Sequence, residues 1–227
     1  VATDKSIWEA FSSRKRISIA SDGGLSNNKV GTFGWTIATN KETLYTCSGP
    51  VDGPRDTSSS TRSELCGYAS ALLLLTNLAK TWKTRHRCKF RWIVDSKAAI
   101  QRVLRDTRCT KRNRKQPDDL DFMTIIIECT RELKRNIKIS WTKGHQDDKC
   151  PYEKLPLQAR LNVDADRLAT RYRLRGKLKS TEHTDHTKEQ NISLSINGVR
   201  IQSQVDSCIR FHVNGYHLPA TLYAIQK

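Results

Sequence analysis

Three strand patterns stand in a row near the start of the chain, at 16–21, 33–39 and 43–48, before any long helical pattern begins. Short, turn-rich links such as Asn40-Lys41 join them, which suits an antiparallel meander. Helices and strands alternate afterwards: helix 61–81, strand 89–94, helices 96–106 and 118–135, strand 137–142 and helix 162–175. That order predicts an α/β fold built on a five-stranded mixed sheet, with the antiparallel meander first, alternating helices and strands after it, and helices on both faces. The stretch "GKLKSTEHTDHTKEQ" at 176–190 has almost no apolar content and reads as a linker. Beyond it, Asn197-Gly198 separates two alternating stretches within 192–203, a strong hairpin signal. The expected division is therefore an N-terminal extension at 1–14, a main domain at 15–175, the linker at 176–190 and a hairpin segment at 191–227. A lone hairpin is marginal in water. The segment is expected to dock on something or to belong to a module that the chain cuts short.

The charge balance narrows the partners. There are 40 Lys and Arg against 23 Asp and Glu, a net charge of +17, which favours a polyanion, most often nucleic acid. Solubility alone would spread such charge, yet "TRHRCKFR" (84–91) and "RDTRCTKRNRK" (105–115) are dense and local. Neither run has the apolar spacing of a membrane-surface helix, and no run approaches the roughly 20 apolar residues of a membrane span. Seven cysteines, at 47, 66, 88, 109, 129, 150 and 208, are odd in number and lack metal-ligand spacing. They argue for reduced thiols and an intracellular protein, in nucleus or cytoplasm, rather than a zinc site or a disulfide framework. The chain has no signal peptide pattern, and its one Met is Met123; it is expected to be part of a longer polypeptide.

Four carboxylates and a histidine stand out. In "ISIASDGG" a core strand is expected to end on Asp22, and in "RWIVDS" another ends on Asp95. Each has an ordinary reading, as a turn residue for Asp22 and a helix cap for Asp95. Glu64 in "TRSELCGY" fits a capping box with Thr61. It also heads a stripe with Tyr68, Ala71 and Leu75 that must face the sheet, and a carboxylate there needs a charge partner or a metal. Asp164 and Asp166 fit the first turn of the last helix, where Asn162, Asp166 and Thr170 form one polar edge. His145 lies in the loop "TKGHQDD", loosened by Gly144, and a histidine there suits acid–base work. Converging carboxylates repel unless cations lie between them, and an all-oxygen set selects Mg²⁺ or Mn²⁺. A basic protein with an acidic metal site fits a nuclease. His183 and His186 in the linker form an H-x-x-H pair that reads as chance.

The stretches "SDGG", "TRSEL", "VDS", "TKGH" and "NVDADRLA", in this order and on these elements, resemble type 1 ribonuclease H. They are most similar to the ribonuclease H domain of eukaryotic retroelement (reverse transcriptase) polyproteins, over about residues 15–175. The resemblance implies a ribonuclease H-like fold. It also implies an endonuclease that hydrolyses the RNA strand of RNA/DNA hybrids with two Mg²⁺ ions, Mn²⁺ substituting, during retroelement reverse transcription. Carried over by motif, Asp22, Glu64, Asp95 and Asp166 would hold the metals. His145 would be a mobile histidine that assists proton transfer and product release. The expected substrate contacts are Gly23, Gly24, Ser60, Thr61, Arg62 and Asn162 near the carboxylates, with the basic loop Arg108, Lys111, Arg112, Arg114 and Lys115 on the phosphates. A monomer is expected, with other domains of a polyprotein as further partners. Two features depart from the family: "CPYEKLPLQAR" lengthens the path from His145 to Asp166, and Ser60-Thr61 stand where members often carry Asn or Gln. The alternatives are a non-catalytic nucleic-acid-binding domain on the same fold, which loss of a carboxylate would favour, and a transposase- or integrase-type nuclease, against which "TRSEL" and "TKGH" speak.

Overall fold

The computed structural model describes residues 4–13, 16–27, 30–51, 58–82, 88–107, 119–133, 137–175, 194–196 and 199–201. Five strands form the main sheet: β1 (Arg16–Leu25), β2 (Gly31–Ala38), β3 (Thr43–Pro50), β4 (Lys89–Val94) and β5 (Lys138–Trp141). Their spatial order is β3-β2-β1-β4-β5. The first three pair antiparallel, as short links require, and β4 and β5 join parallel to β1 after helical crossovers. The expected five-stranded mixed sheet is therefore present. The helices are α1 (Asp4–Ser12), α2 (Ser60–Thr81), α3 (Lys97–Thr107), α4 (Leu120–Glu132) and α5 (Leu157–Leu174).

The two faces of the sheet are built differently. Ile17 and Ile19 of β1 and Phe90 and Trp92 of β4 belong to a large core with Leu65, Tyr68, Leu72 and Leu75 of α2 and Ile126 of α4. Tyr68 lies flat on Trp92, with ring centroids 3.9 Å apart, and the Trp92 indole N–H donates to Ser21 Oγ at 2.8 Å. This buried pair fixes α2 over β1 and β4 one turn below Glu64. The other core is thin: Ala20, Ala38, Ile93, Leu161 and Ala165. Small residues there let the backbone of α5 approach the sheet. A methyl on Gly34 of β2 would run into the Ala165 carbonyl and the Ala169 amide, so only glycine fits at this crossing.

Three expectations change. The sequence reading starts the last helix at 162, but α5 begins at Leu157. Asp164 and Asp166 therefore sit in its interior, and the helix dipole explains neither. The first strand does not stop before Asp22; β1 runs to Leu25, with Asp22 opposite Gly34 of β2. Residues 1–14, read as an extension, include α1, whose buried Phe11 packs edge-on against Trp82 and Phe90. The hairpin signal corresponds to two antiparallel strands, β6 (Leu194–Ile196) and β7 (Val199–Ile201). The linker at 176–190 and the basic loop at 108–115 lie outside the described residues.

Overpacking a close crossing costs about 1–3 kcal/mol. Gly34→Ala should lower the unfolding free energy by that amount, read as a lower urea midpoint at an unchanged slope, because the added methyl has to push α5 off the sheet. An unchanged midpoint would show that α5 is not seated on Gly34.

Candidate metal centre

The sheet register places two carboxylates side by side. The last pair between β1 and β4 is Ala20 with Ile93; two residues further along each strand stand Asp22 and Asp95. Because β4 ends at Val94, Asp22 loses its strand neighbour on that side and faces the loop that Asp95 begins. The third carboxylate comes from α2. Gly23 packs so tightly on Ser63 and Glu64 that any β-carbon would overlap their backbone, which sets the helix start directly on β1. The helix cap is Ser59, whose Oγ accepts from the Arg62 amide at 3.0 Å. The expected Thr61–Glu64 capping box is thus replaced: with the cap two residues earlier, Glu64 lies past the first turn and its carboxyl is not tied to the helix end.

Asp22, Glu64 and Asp95 each offer an oxygen within 4.8 Å of the others, and they are the one such group among the described residues. Glu64 is only 4% exposed, and its Oε2 is buried without a hydrogen-bond partner. Asp95 is oriented from three sides. Its Oδ2 accepts from Asn162 Nδ2 at 3.2 Å, its carbonyl accepts from the Trp141 indole at 2.9 Å, and its carboxylate rests against the bare α-carbon of Gly144. Burial, then the charge of Asp95, pushes the Asp22 carboxyl up to about 7. Burial and the charges of Asp22 and Asp95 hold Glu64 well above the ordinary carboxyl range. Without a cation the cluster therefore keeps protons that isolated carboxyls would have lost. A deeply buried, partnerless carboxylate oxygen among all-oxygen donors fits a hard divalent cation.

Asp166 is placed differently from the other three. It lies on α5 at the rim, 37% exposed, with its Oδ1 accepting from Thr170 Oγ1 at 3.4 Å. Its oxygens fall outside the tight group, and it acts on Asp22 through charge. His145 stands beside it, Nδ1 to Oδ2 at 4.0 Å. The His145 backbone is left-handed, with φ 49° and ψ 42°, a conformation that costs a non-glycine residue about 1 kcal/mol or more.

The expected substrate contacts divide. Gly23 and Gly24 are half-buried, Ser60 is exposed and Thr61 half-buried, on the strand and helix start that frame the carboxylates. Arg62 is a correction. Its side chain is 1% exposed, with Nη1 on Asp119 at 2.9 Å, Nη2 on Asp121 at 2.8 Å and the guanidinium over Phe122. It pins α2 to α4 and is not open to a substrate. Asn162 is also buried, and its amide serves Asp95. Gly144, read from sequence as loosening its loop, instead makes room for the Asp95 carboxylate. The Trp141 contact had no signal in the sequence, because an aromatic at a strand end reads simply as core.

No protein-family model and no curated protein matches the chain. Two solved structures are similar in shape: a foamy viral protease-reverse transcriptase in complex with dsDNA, at 16% identity and a TM-score of 0.46 over 72% of this chain and 96% of that one, and a foamy viral protease-reverse transcriptase in complex with RNA/DNA hybrid, at 16% identity and 0.47 over 72% of this chain. The chain spans about a fifth of the second, 20% of its length. Both scores lie below 0.5, and the fold rests on the sheet order itself.

The raised Asp22 pKa, about 7 against the ordinary 3.8, fixes a pH dependence. Between these values the native state holds a proton that the unfolded chain has released. The stability it brings is complete below about pH 4 and is lost as pH rises through about 7. Asp22→Asn removes that dependence. In chelator, its melting temperature should exceed that of the wild type by a few degrees at pH 8, and the gap should close at pH 4. An equal gap at both pH values would contradict the assignment.

Proposed function

We propose that this chain is a metal-dependent endonuclease that hydrolyses the RNA strand of RNA/DNA hybrids. The observation that carries the reading is the convergence of Asp22, Glu64 and Asp95 within 4.8 Å around a buried carboxylate oxygen that has no partner. The net charge of +17 supports a nucleic-acid substrate, and the five ordered motifs of the resemblance support the hybrid and the setting in a reverse transcriptase polyprotein.

Asp22, Glu64, Asp95 and rim residue Asp166 would hold two Mg²⁺ ions, or Mn²⁺ in their place. When bound, such ions lower the pKa of a coordinated water and neutralise charge at the phosphate. The chain supplies the rest. Asn162 holds one Asp95 oxygen so that the other is free. Gly23, Gly24, Ser60 and Thr61 line the near wall, where backbone and hydroxyl groups can test for a 2′-hydroxyl and so separate RNA from DNA. His145, beside Asp166 and open to solvent, takes up and returns a proton at the leaving oxygen. The basic residues Arg108, Lys111, Arg112, Arg114 and Lys115 add sequence-independent phosphate contacts.

Labelled RNA/DNA hybrid, duplex RNA, duplex DNA and single-stranded RNA, each with and without Mg²⁺, test the reading. Only the hybrid should be cut, only in its RNA strand, and only with metal. Asp95→Asn should bind the hybrid normally and lose more than about a hundredfold in rate, beyond what a supporting group contributes. Cleavage at full rate in excess chelator would overturn the mechanism. Tight binding without cleavage by the wild type would favour a non-catalytic binding domain.

A further inference from the structure

The path from His145 to Asp166 looks from its sequence like a free loop, with Pro151, Pro156 and little apolar content. Its fold is otherwise. Two 3-10 turns, Gln146–Asp148 and Tyr152–Lys154, are closed by backbone bonds from Lys149 and Cys150 to the Gln146 carbonyl, from Lys154 to Pro151 and from Leu155 to Tyr152. Leu155 is buried with Ala159 and Val163 of α5, and Cys150 and Tyr152 pack against them.

Polar contacts then tie both ends of the segment to α5. The Tyr152 hydroxyl reaches both Asp164 carboxylate oxygens at 2.9 Å. Arg167 lies over the Tyr152 ring, 5.0 Å from its centroid, and its Nη2 donates to Asp147 Oδ2 at 3.0 Å. Asp147 is two residues beyond His145. Asp164 and Arg167 flank Asp166 on the same helix, so one rigid element carries both the bracket and the carboxylate that His145 faces. The imidazole needs such help: it is 71% exposed. An exposed ion pair alone contributes little, but here the guanidinium serves the ring and the carboxylate together.

We propose that residues 146–156 form a fixed bracket that sets His145 against Asp166, with Tyr152 and Arg167 as positioning residues. The inference rests on the nuclease reading above. His145 is then a pre-placed group carried on a folded segment rather than a residue of a free loop. Tyr152→Phe deletes one hydroxyl. Arg167→Ala deletes the stacking and the ion pair. Arg167→Lys keeps only the charge.

The test combines amide hydrogen exchange with single-turnover and steady-state cleavage. Exchange at Lys149, Cys150, Lys154 and Leu155 should quicken in Tyr152→Phe and Arg167→Ala, and Arg167→Lys should fall between wild type and Arg167→Ala. On the hybrid, both variants should lose about tenfold in kcat with KM within about twofold, a fraction of what general acid–base groups supply. In a His145→Ala background the Tyr152→Phe loss should vanish, since the two act through one group. The same loss in both backgrounds would overturn the proposal, because the network would then act on the fold at large. Unchanged exchange would also overturn it. A wild type that does not cut the hybrid in Mg²⁺ removes the nuclease reading and the role of His145 with it, whereas the exchange result still decides whether Tyr152 and Arg167 fix the segment.

Discussion

Three carboxyl groups held within 4.8 Å of one another at the top of a core are the constraint on which the rest of the structure depends. Ionised together and dry, they repel one another and lose their hydration. The cluster answers by holding protons, with Asp22 and Glu64 both pushed upward by burial and by their neighbours. Such a site is costly on its own and would become favourable if cations replaced the protons, as the proposed function requires. A fold that keeps it must have enough packing elsewhere to tolerate it. The larger core supplies that packing, with the Tyr68–Trp92 stack and the Arg62–Asp119–Asp121 ion pairs anchoring the helix that carries Glu64.

Close backbone approach makes the convergence possible. Gly34 lets α5 settle on the sheet, which brings Asn162 to Asp95 and carries Asp166 to the rim. Gly144 admits the Asp95 carboxylate against the chain that leads to His145. The Gly34 contact joins the early meander to the last long helix, and the two Asp95 contacts join the end of β4 to segments that follow it in the chain. The site therefore exists only once the whole sheet has formed.

The sheet was readable because its signals are local: alternation, short links and the switch to helical spacing. Asp22 and Asp95 were readable as candidates because two core strand patterns end on them, and Glu64 because it heads a helical stripe that must face the sheet. Other features depend on long-range packing that no local pattern encodes. Arg62 was expected to contact substrate by the resemblance of "TRSEL", yet Asp119 and Asp121, far along the chain, turn it inward. Asp164 and Asp166 were assigned to a first helical turn because the last helix was expected to begin at 162. Leu155 burying itself against Ala159 and Val163 extends the helix backward. The equality expected of four carboxylates also became a tight three and an outer fourth, since sequence spacing carries no distance across the sheet.

The central claim is that the cluster exchanges protons for divalent cations. Calorimetric titration of the purified protein with Mn²⁺ near pH 7, in buffers of different ionisation enthalpy, measures both events at once. With the Asp22 carboxyl at about 7, the account predicts saturable Mn²⁺ binding that releases on the order of one proton, and Asp95→Asn should weaken it sharply. Saturable binding with no proton release, or binding unchanged in Asp95→Asn, would contradict it.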